Sequence, residues 1–325
     1  MAGPGMALRL SHSFSLLPAA PRPARDPAIA SAETHRAAGR PEDALAALDG
    51  AVESAEALHL RGVLLHELGR PSEALTPLRR AVTLAPAQAR AHYHLGNALL
   101  ALDLSVDAAD AFAAAIAIDP GFADAHNNRG NALRKQGREL DALDAYRAAL
   151  MAQPGFAPAL YNAGLSLAKF GEFAAAIDCY RAILSRPPAS GEEARWPMVW
   201  EALSGAQVEQ GAHDDAVASC RAWLRLTPGA ALAEWNLGLS LLALGEYAEG
   251  WRLYERRWEI EGFRDESERD QPLPVAPSLA DLAGKHVLVR REQGRGDLIQ
   301  FARYAPMLAR HAASVTLTAF PELVS

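Results

Sequence analysis

The sequence is poor in cysteine, in positive charge and in long apolar runs, and each shortage excludes a class of protein. Two cysteines, Cys179 and Cys220, in 325 residues cannot build a disulfide framework. We therefore expect a reducing, cytoplasmic environment. The formal net charge of -7 lacks the basic footprint that phosphate backbones require, which argues against nucleic acid as a partner. No apolar run reaches about 18 residues, so we expect no membrane span.

Aromatic and β-branched residues are also scarce until the last forty or so positions, while alanine and leucine dominate. This distribution favours helices first and a different structure at the end. The length suggests about two domains. Residues 1–24 are rich in alanine, proline and arginine. We interpret them as a disordered leader, because Ser11, His12 and Ser13 interrupt the apolar stretch that a signal peptide needs.

A period of 34 residues runs through the middle of the chain. Numbered within each period, the eighth residue is glycine, the eleventh leucine, the twentieth alanine, the twenty-fourth leucine or aromatic, and the thirty-second proline. The columns are Gly62, Gly96, Gly130 and Gly164; Leu65, Leu99, Leu133 and Leu167; Ala74, Ala108, Ala142 and Ala176; Leu78, Phe112, Tyr146 and Tyr180; Pro86, Pro120, Pro154 and Pro188.

The residue types predict a helical hairpin in each period. Glycine and alanine at the eighth and twentieth positions predict that two antiparallel helices approach closely. The eleventh and twenty-fourth residues fill the groove between that pair and the next. Gly69, Gly137 and Gly171 mark the turn inside the hairpin, where positive φ ends the first helix. Proline then stops the second helix. Such a hairpin must stack on its neighbours to bury its apolar face.

These columns resemble the tetratricopeptide repeat in period and residue type. The resemblance implies an all-α superhelical solenoid of about seven helical hairpins over residues 25–261. A shortened unit around Gly39 and Ala44 comes first, and a small insertion over Ser190 to Arg195 precedes the sixth unit. The predicted units are Ala55–Gln88, Ala89–Phe122, Ala123–Phe156, Ala157–Pro188, Pro197–Ala230 and a last unit from Ala231.

The sixth and ninth positions predict a row of polar side chains along the concave face, which the first helices line. The row comprises His94, Asn97, Asn128, Asn131, Asn162 and Asn236. Amides carry both donor and acceptor groups, so such a row can bind the backbone of an extended peptide. It resembles the asparagine ladder of O-linked N-acetylglucosamine transferases, although Leu60 and Ala202 interrupt it. The alternative is that these asparagines only tolerate the helix surface.

Two further features of the repeats have alternative interpretations. His92 and His126 share the fourth position, but no cysteine or carboxylate joins them at ligand spacing, so we expect packing and no metal. Trp251, Tyr254 and Trp258 have helical spacing and predict one aromatic stripe, either a solenoid end cap or a dock for the next domain.

The end of the chain changes character after a predicted linker over residues 262–284. "KHVLVRRE" and "SVTLTAF" read as strands around the helical "LIQFARYAPMLARHAA", which Pro306 is expected to kink. This predicts an incomplete α/β segment, a β-α-β unit.

The string "EQGRGDLIQFARYAP" resembles the start of the catalytic domain in bacterial proteins that fuse tetratricopeptide repeats to a GT-B glycosyltransferase, and more distantly the heptosyltransferases. The resemblance implies that Asp297 is the general base and that Gly294 and Gly296 bind substrate. The alternative for Asp297 is a helix N-cap paired with Gln300.

Two functions therefore remain open. One is the acceptor-binding part of a cytoplasmic transferase that uses a nucleotide-sugar in its full-length form, with no other cofactor. On that interpretation residues 285–325 are the truncated start of the catalytic domain. We then expect no catalysis by this chain alone, because the donor-binding half is missing. The other is a non-catalytic adaptor that binds a peptide or protein along its concave face.

Overall fold

The computed structural model describes residues 26–186, 196–260, 279–289 and 304–317. The leader and the predicted ligand turn of Gly294, Gly296 and Asp297 lie outside the described residues. The chain divides into two compact units, Met1–Arg257 and Trp258–Ser325. Each unit is treated by itself.

The described part of the first unit contains seven antiparallel helical hairpins, which confirms the predicted solenoid. Each hairpin packs against the next along the chain. The hairpins are α1 (Pro27–Ala37) with α2 (Pro41–Ala47), α3 (Ala55–Glu67) with α4 (Pro71–Leu84), α5 (Ala89–Ala101) with α6 (Ser105–Ile118), α7 (Ala123–Lys135) with α8 (Glu139–Ala152), α9 (Ala157–Lys169) with α10 (Phe173–Leu184), α11 (Trp196–Gln210) with α12 (His213–Leu226), and α13 (Ala231–Ala243) with α14 (Tyr247–Tyr254).

Proline and glycine set the helix boundaries as predicted. Helices α4, α6 and α8 end two residues before Pro86, Pro120 and Pro154. The turn glycines have positive φ, for example +76° at Gly137. At the same turn in the third hairpin, Asp103 has φ +58°, and it is the one non-glycine residue with positive φ in the described ranges. Aspartate tolerates this region better than most residues do.

The glycine at the eighth repeat position makes room for a side chain of its own hairpin. We had expected it to allow close approach of the two helix backbones, so the reason for this glycine is corrected. A Cβ on Gly96 would lie 2.6 to 2.9 Å from three ring atoms of Phe112, and one on Gly130 would meet the Tyr146 ring in the same way. The eighth residue therefore leaves space for the twenty-fourth. In the last hairpin the backbones of the two helices do approach closely, as predicted. A Cβ on Gly238 of α13 would lie 2.8 Å from the backbone nitrogen of Tyr254 of α14.

The sixth hairpin replaces this contact with a different set of side chains. Ser204 stands at the glycine position, and the small Cys220 stands at the aromatic position; both are fully buried. Trp223 occupies the column that holds Ala81, Ala115 and Ala149 in earlier hairpins. The large side chain that Cys220 lacks is thus replaced by that of Trp223, three residues later. Burial raises the pKa of the Cys220 thiol to about 11, so this thiol is inert packing.

Polar contacts join consecutive hairpins beside the turns that connect the two helices of each hairpin. Glu139, at the start of α8, is buried and accepts hydrogen bonds of 2.8 Å from Ser166 Oγ and from Lys169 Nζ of α9. Burial acts to raise the pKa of Glu139, but these two donors outweigh it and hold the pKa below its usual value. Lys135 pairs with Asp103 across the preceding junction. The first helices of consecutive hairpins also contact one another, so they form a common face.

The helical aromatic stripe at the end of the solenoid is shorter than predicted. Helix α14 ends at Tyr254, and residues Glu255–Glu259 form a 3-10 turn, so Trp258 does not continue the α-helical spacing. Trp251 meets Tyr254 edge to face, with ring centroids 5.6 Å apart, and the Arg257 guanidinium lies 4.3 Å from the Tyr254 ring centre. The cation over the ring covers part of this surface.

The described part of the second unit confirms the predicted β-α-β segment. Strands β1 (His286–Val289) and β2 (Ser314–Leu317) pair in parallel, with His286 opposite Ser314. Helix α15 (Ala305–Ala309) precedes β2, and Pro306 lies in its first turn. Pro306 is therefore a helix-start residue here, where its missing N–H costs nothing, and it does not kink this helix.

We predict that Gly130→Ala destabilises the solenoid by about 1–3 kcal/mol, because the added methyl overlaps the buried Tyr146 ring. The control is Gly205→Ala in α11, where a Cβ would meet nothing within 4 Å. That change should be neutral or stabilise by up to about 1 kcal/mol through helix propensity. Urea unfolding followed by circular dichroism measures both. Equal effects of the two substitutions would contradict the packing role of the glycine column.

Candidate functional site

The predicted row lies on the first helices of the third, fourth, fifth and seventh hairpins. His94 and Asn97 belong to α5, Asn128 and Asn131 to α7, Asn162 to α9 and Asn236 to α13. Helices α5, α7 and α9 contact one another in order. The repeat therefore places equivalent residues side by side, as the helical periodicity requires.

A continuous chain of side-chain hydrogen bonds connects three hairpins on this face. Asn128 Nδ2 donates to Asn97 Oδ1 at 2.9 Å and to the Tyr93 hydroxyl at 3.2 Å. Asn128 Oδ1 accepts from Asn127 Nδ2 at 3.0 Å. Asn127 Oδ1 accepts in turn from Asn162 Nδ2 at 2.9 Å. Each amide is thus held in a fixed orientation by its neighbours in the row.

The bonds within the row decide which polar groups remain available to a ligand. An asparagine side chain has two N–H donors and an oxygen with two lone pairs. Asn128 uses both donors and keeps one lone pair. Asn162 uses one donor, so its second N–H and its Oδ1 have no partner among the described residues. Asn127 is only 5% exposed and acts as a link between the other two.

Two of the predicted row residues have structural partners instead. Asn131 Oδ1 accepts a hydrogen bond of 2.9 Å from the hydroxyl of Tyr146, which is the buried ring packed on Gly130. Asn236 is 6% exposed, and its Nδ2 lies 3.4 Å from Ser204 Oγ. These two asparagines satisfy buried polar atoms. The amides that present polar groups on the face are therefore Asn97, Asn128 and Asn162.

His94 continues the row toward the N-terminus as an uncharged aromatic contact. Its ring centre lies 5.0 Å from that of His59 and 5.2 Å from that of Tyr93. Burial, followed by the neighbouring His59, Arg36, His66 and Arg90, lowers the pKa of His94 to about 3. Burial and then Arg36 and Arg90 also lower the pKa of His59. Both imidazoles are consequently neutral near pH 7.

His92 and His126 bind the turns that precede their helices. Each ring Nε2 lies 3.0 Å from a proline carbonyl oxygen, that of Pro86 for His92 and that of Pro120 for His126. The fourth position thus ties the start of each first helix to the end of the preceding hairpin. Among the residues that the structure describes, no group of three or more histidine, cysteine or acidic side chains could hold a metal ion.

The fifth repeat position, which the sequence pattern had not singled out, contributes as much to this face as the sixth. Tyr93, Asn127 and Tyr161 recur there at the same 34-residue spacing, and this was the available signal. A pocket of about 230 Å³ between α9 and α11 was likewise not predicted. The described residues that line the pocket are Ala157, Pro158, Tyr161, Asn162, Ile183, Trp196, Met198 and Val199.

We predict that stability falls in acid partly through His94. The pKa of His94 is about 3 in the folded chain and near 6.5 in the unfolded chain. Between these two pH values the unfolded chain is protonated at this residue and the folded chain is not. The stability is complete above about pH 6.5 and is lost as the pH falls toward 3. His94→Asn, which installs the residue of the next two hairpins, should reduce the loss of unfolding free energy between pH 7 and pH 4 by up to roughly 3 kcal/mol.

Urea unfolding at the two pH values measures this loss, and His126→Asn, the same substitution in the next hairpin, is the control. An unchanged pH dependence for His94→Asn would refute the role of the buried imidazole.

Comparison with known proteins agrees with this architecture. Protein FlbA of Caulobacter vibrioides is 35% identical over 105 residues, and the match covers 31% of this chain and 17% of FlbA. Among solved structures, pilF of Pseudomonas aeruginosa is 19% identical with a TM-score of 0.54, covering 64% of this chain and 93% of that one. YrrB is 18% identical with a TM-score of 0.50, covering 57% of this chain and 92% of that one. The two structural likenesses show the fold alone.

The family model described as tetratricopeptide repeat matches residues 29–89, 59–123, 107–159, 127–193 and 161–231. These overlapping matches span more than half of the sequence and coincide with the stacked hairpins. The chain belongs to the tetratricopeptide repeat family.

Proposed function

We propose that this protein is a scaffold that binds an extended peptide segment of another protein along the face formed by α5, α7 and α9. The observation that carries the proposal is the continuous hydrogen-bonded row from Asn97 through Asn128 to Asn162. The row crosses three hairpins in the direction in which the repeat advances. A peptide that follows the row meets amide groups at each hairpin.

The chemistry of the row suits a peptide backbone. Asn128 keeps an acceptor site, and Asn162 keeps a donor and an acceptor among the described residues. Such groups can pair with backbone N–H and C=O groups whatever the peptide sequence. Because the amides are already held by one another, binding costs little side-chain ordering. YrrB, which shares the fold, is described as a TPR protein with an unusual peptide-binding site.

We predict that Asn128→Ala with Asn162→Ala weakens peptide binding about thirtyfold, since two net hydrogen bonds of about 1 kcal/mol each are lost. The probes are dodecapeptides selected from a displayed random library on the full chain and measured by fluorescence anisotropy. The control removes two amides from turns outside the row, Gln88→Ala with Gln153→Ala, and circular dichroism checks helicity. Unchanged affinity in the row variant would refute the proposal.

A finer proposal is that the solenoid presents its peptide as the acceptor for a glycosyltransferase domain that begins near residue 285. The parallel pair of β1 and β2 supports an α/β start, and the resemblance around Asp297 supplies the transferase assignment. Gly294 and Gly296 would then bind substrate, with Asp297 as the general base toward the acceptor hydroxyl. The proposed location is the cytoplasm, which the two free cysteines support. No described helix combines the length and the apolar character that a bilayer crossing requires.

Calorimetric titration of the 325-residue chain with UDP-, GDP- and ADP-sugars tests the finer proposal. Binding heat that Asp297→Asn or Gly296→Ala reduces supports it. An absence of heat with every donor would refute a nucleotide-sugar site at this turn and would leave the peptide-binding face unaffected. The second candidate is a non-catalytic adaptor that uses that same face.

A further inference from the structure

The pocket between α9 and α11 lies where the repeat period is broken. Ala157 and Pro197 occupy the same repeat position but are 40 residues apart, whereas earlier repeats advance by 34. The pocket is lined by the starts of the two first helices and by Ile183 near the end of α10. It therefore opens beside the last amide of the row, Asn162.

The pocket has a fixed apolar floor and an open mouth. Tyr161 packs against the buried Tyr180, with ring centres 6.1 Å apart, and Val199 is 5% exposed in the same hydrophobic cluster. Met198 at the mouth is 51% exposed. Pro158 and Ile183 complete the apolar lining. A cavity of about 230 Å³ with this lining favours one large apolar side chain.

Two polar groups stand beside this apolar surface. Asn162 gives one donor to Asn127, and its Oδ1 has no partner in the described ranges. Glu201 follows Met198 by one helical turn and is exposed. Glu201 of α11 occupies the same repeat position as Tyr161 of α9, and these two helices contact each other. In keeping with this placement, burial and then the charge of Glu201 raise the pKa of Tyr161. Partial burial also raises the pKa of Glu201, and no described cation pairs with it.

We propose that this pocket binds a leucine, methionine or phenylalanine side chain of an extended peptide whose adjacent residue is lysine or arginine. The apolar side chain fills the space between Tyr161 and Met198. The basic neighbour pairs with Glu201, and Asn162 Oδ1 accepts a backbone N–H of the same peptide. The inference rests on the proposed peptide-binding function and adds its sequence preference.

The charge of Glu201 and the position of the pocket at the end of the amide row favour a peptide with one apolar and one basic residue over other occupants. An acidic ligand would meet the Glu201 carboxylate, which no described cation neutralises, and the like charges would repel. A purely apolar molecule would leave the amide and the carboxylate unused. A peptide fills the pocket and then continues along the hydrogen-bonded row toward Asn128. One occupant thus satisfies every group at the site.

The test uses fluorescein-labelled peptides on the full chain. The probe pair is Gly-Ser-Ala-Ser-Lys-Phe-Ser-Ala-Ser-Gly and the same peptide with the two central residues in reverse order. The tighter of the two is compared with versions carrying serine for phenylalanine and glutamate for lysine. We expect each replacement to weaken binding, the loss of the ring by about tenfold or more.

Three protein variants locate the effect. Ala157→Phe fills the pocket and should abolish the advantage of phenylalanine over serine. Ala89→Phe places the same ring at the same repeat position of the third hairpin and should leave that advantage intact. Glu201→Lys should reverse the preference between lysine and glutamate peptides. Circular dichroism confirms that each variant remains helical.

The outcomes separate this inference from the function on which it rests. If all peptides bind equally and only Asn128→Ala with Asn162→Ala weakens them, the pocket proposal is wrong and the peptide-binding function stands. If Ala157→Phe keeps the phenylalanine advantage, or Glu201→Lys keeps the lysine preference, the pocket assignment is overturned. If no peptide of any sequence binds, both are overturned.

Discussion

The solenoid depends on one contact, in which the side chain at the twenty-fourth position of a hairpin occupies the space that its eighth-position glycine leaves open. Phe112 fills this space against Gly96, and Tyr146 fills it against Gly130. The contact fixes how the two helices of a hairpin lie on each other. Stacking repeats that arrangement along the chain, because each hairpin can bury its apolar surface only against a neighbour. The buried rings form the core on which the polar face is built.

The functional face follows from this regular core. Once each first helix has the same orientation, the fifth, sixth and ninth positions of consecutive hairpins meet across the junctions. Side-chain amides on neighbouring helices then hydrogen-bond to one another, because each amide has both donors and an acceptor and another amide lies within reach. The residues are Asn97, Asn127, Asn128 and Asn162. Where the core changes, the face changes as well. In the sixth hairpin Ser204 replaces the glycine, and it lies beside the buried Asn236 instead of an aromatic ring.

Sequence periodicity predicted the hairpins and their boundaries because glycine, proline and alanine act locally in this repeat. Helices α3, α5, α7 and α9 begin at the predicted alanines. The hydrogen-bond partners of the polar residues could not be predicted in the same way, because a repeated sequence position does not show which neighbouring side chain will form the bond. Asn131 and Asn162 look equivalent on a helix face, yet the first serves the Tyr146 hydroxyl. The pocket at the broken period depends on spacing between helices, which no local pattern encodes.

A peptide that lies along the row of amides changes the surroundings of their side-chain NH₂ groups, and NMR observes these groups one by one. With selectively ¹⁵N-labelled asparagine in the full chain, a peptide selected by its binding is titrated and the side-chain NH₂ signals are followed. We expect the signals of Asn128 and Asn162 to shift with the same affinity, while that of the buried Asn236 stays in place. Saturable binding that leaves the Asn128 and Asn162 signals unchanged would contradict it.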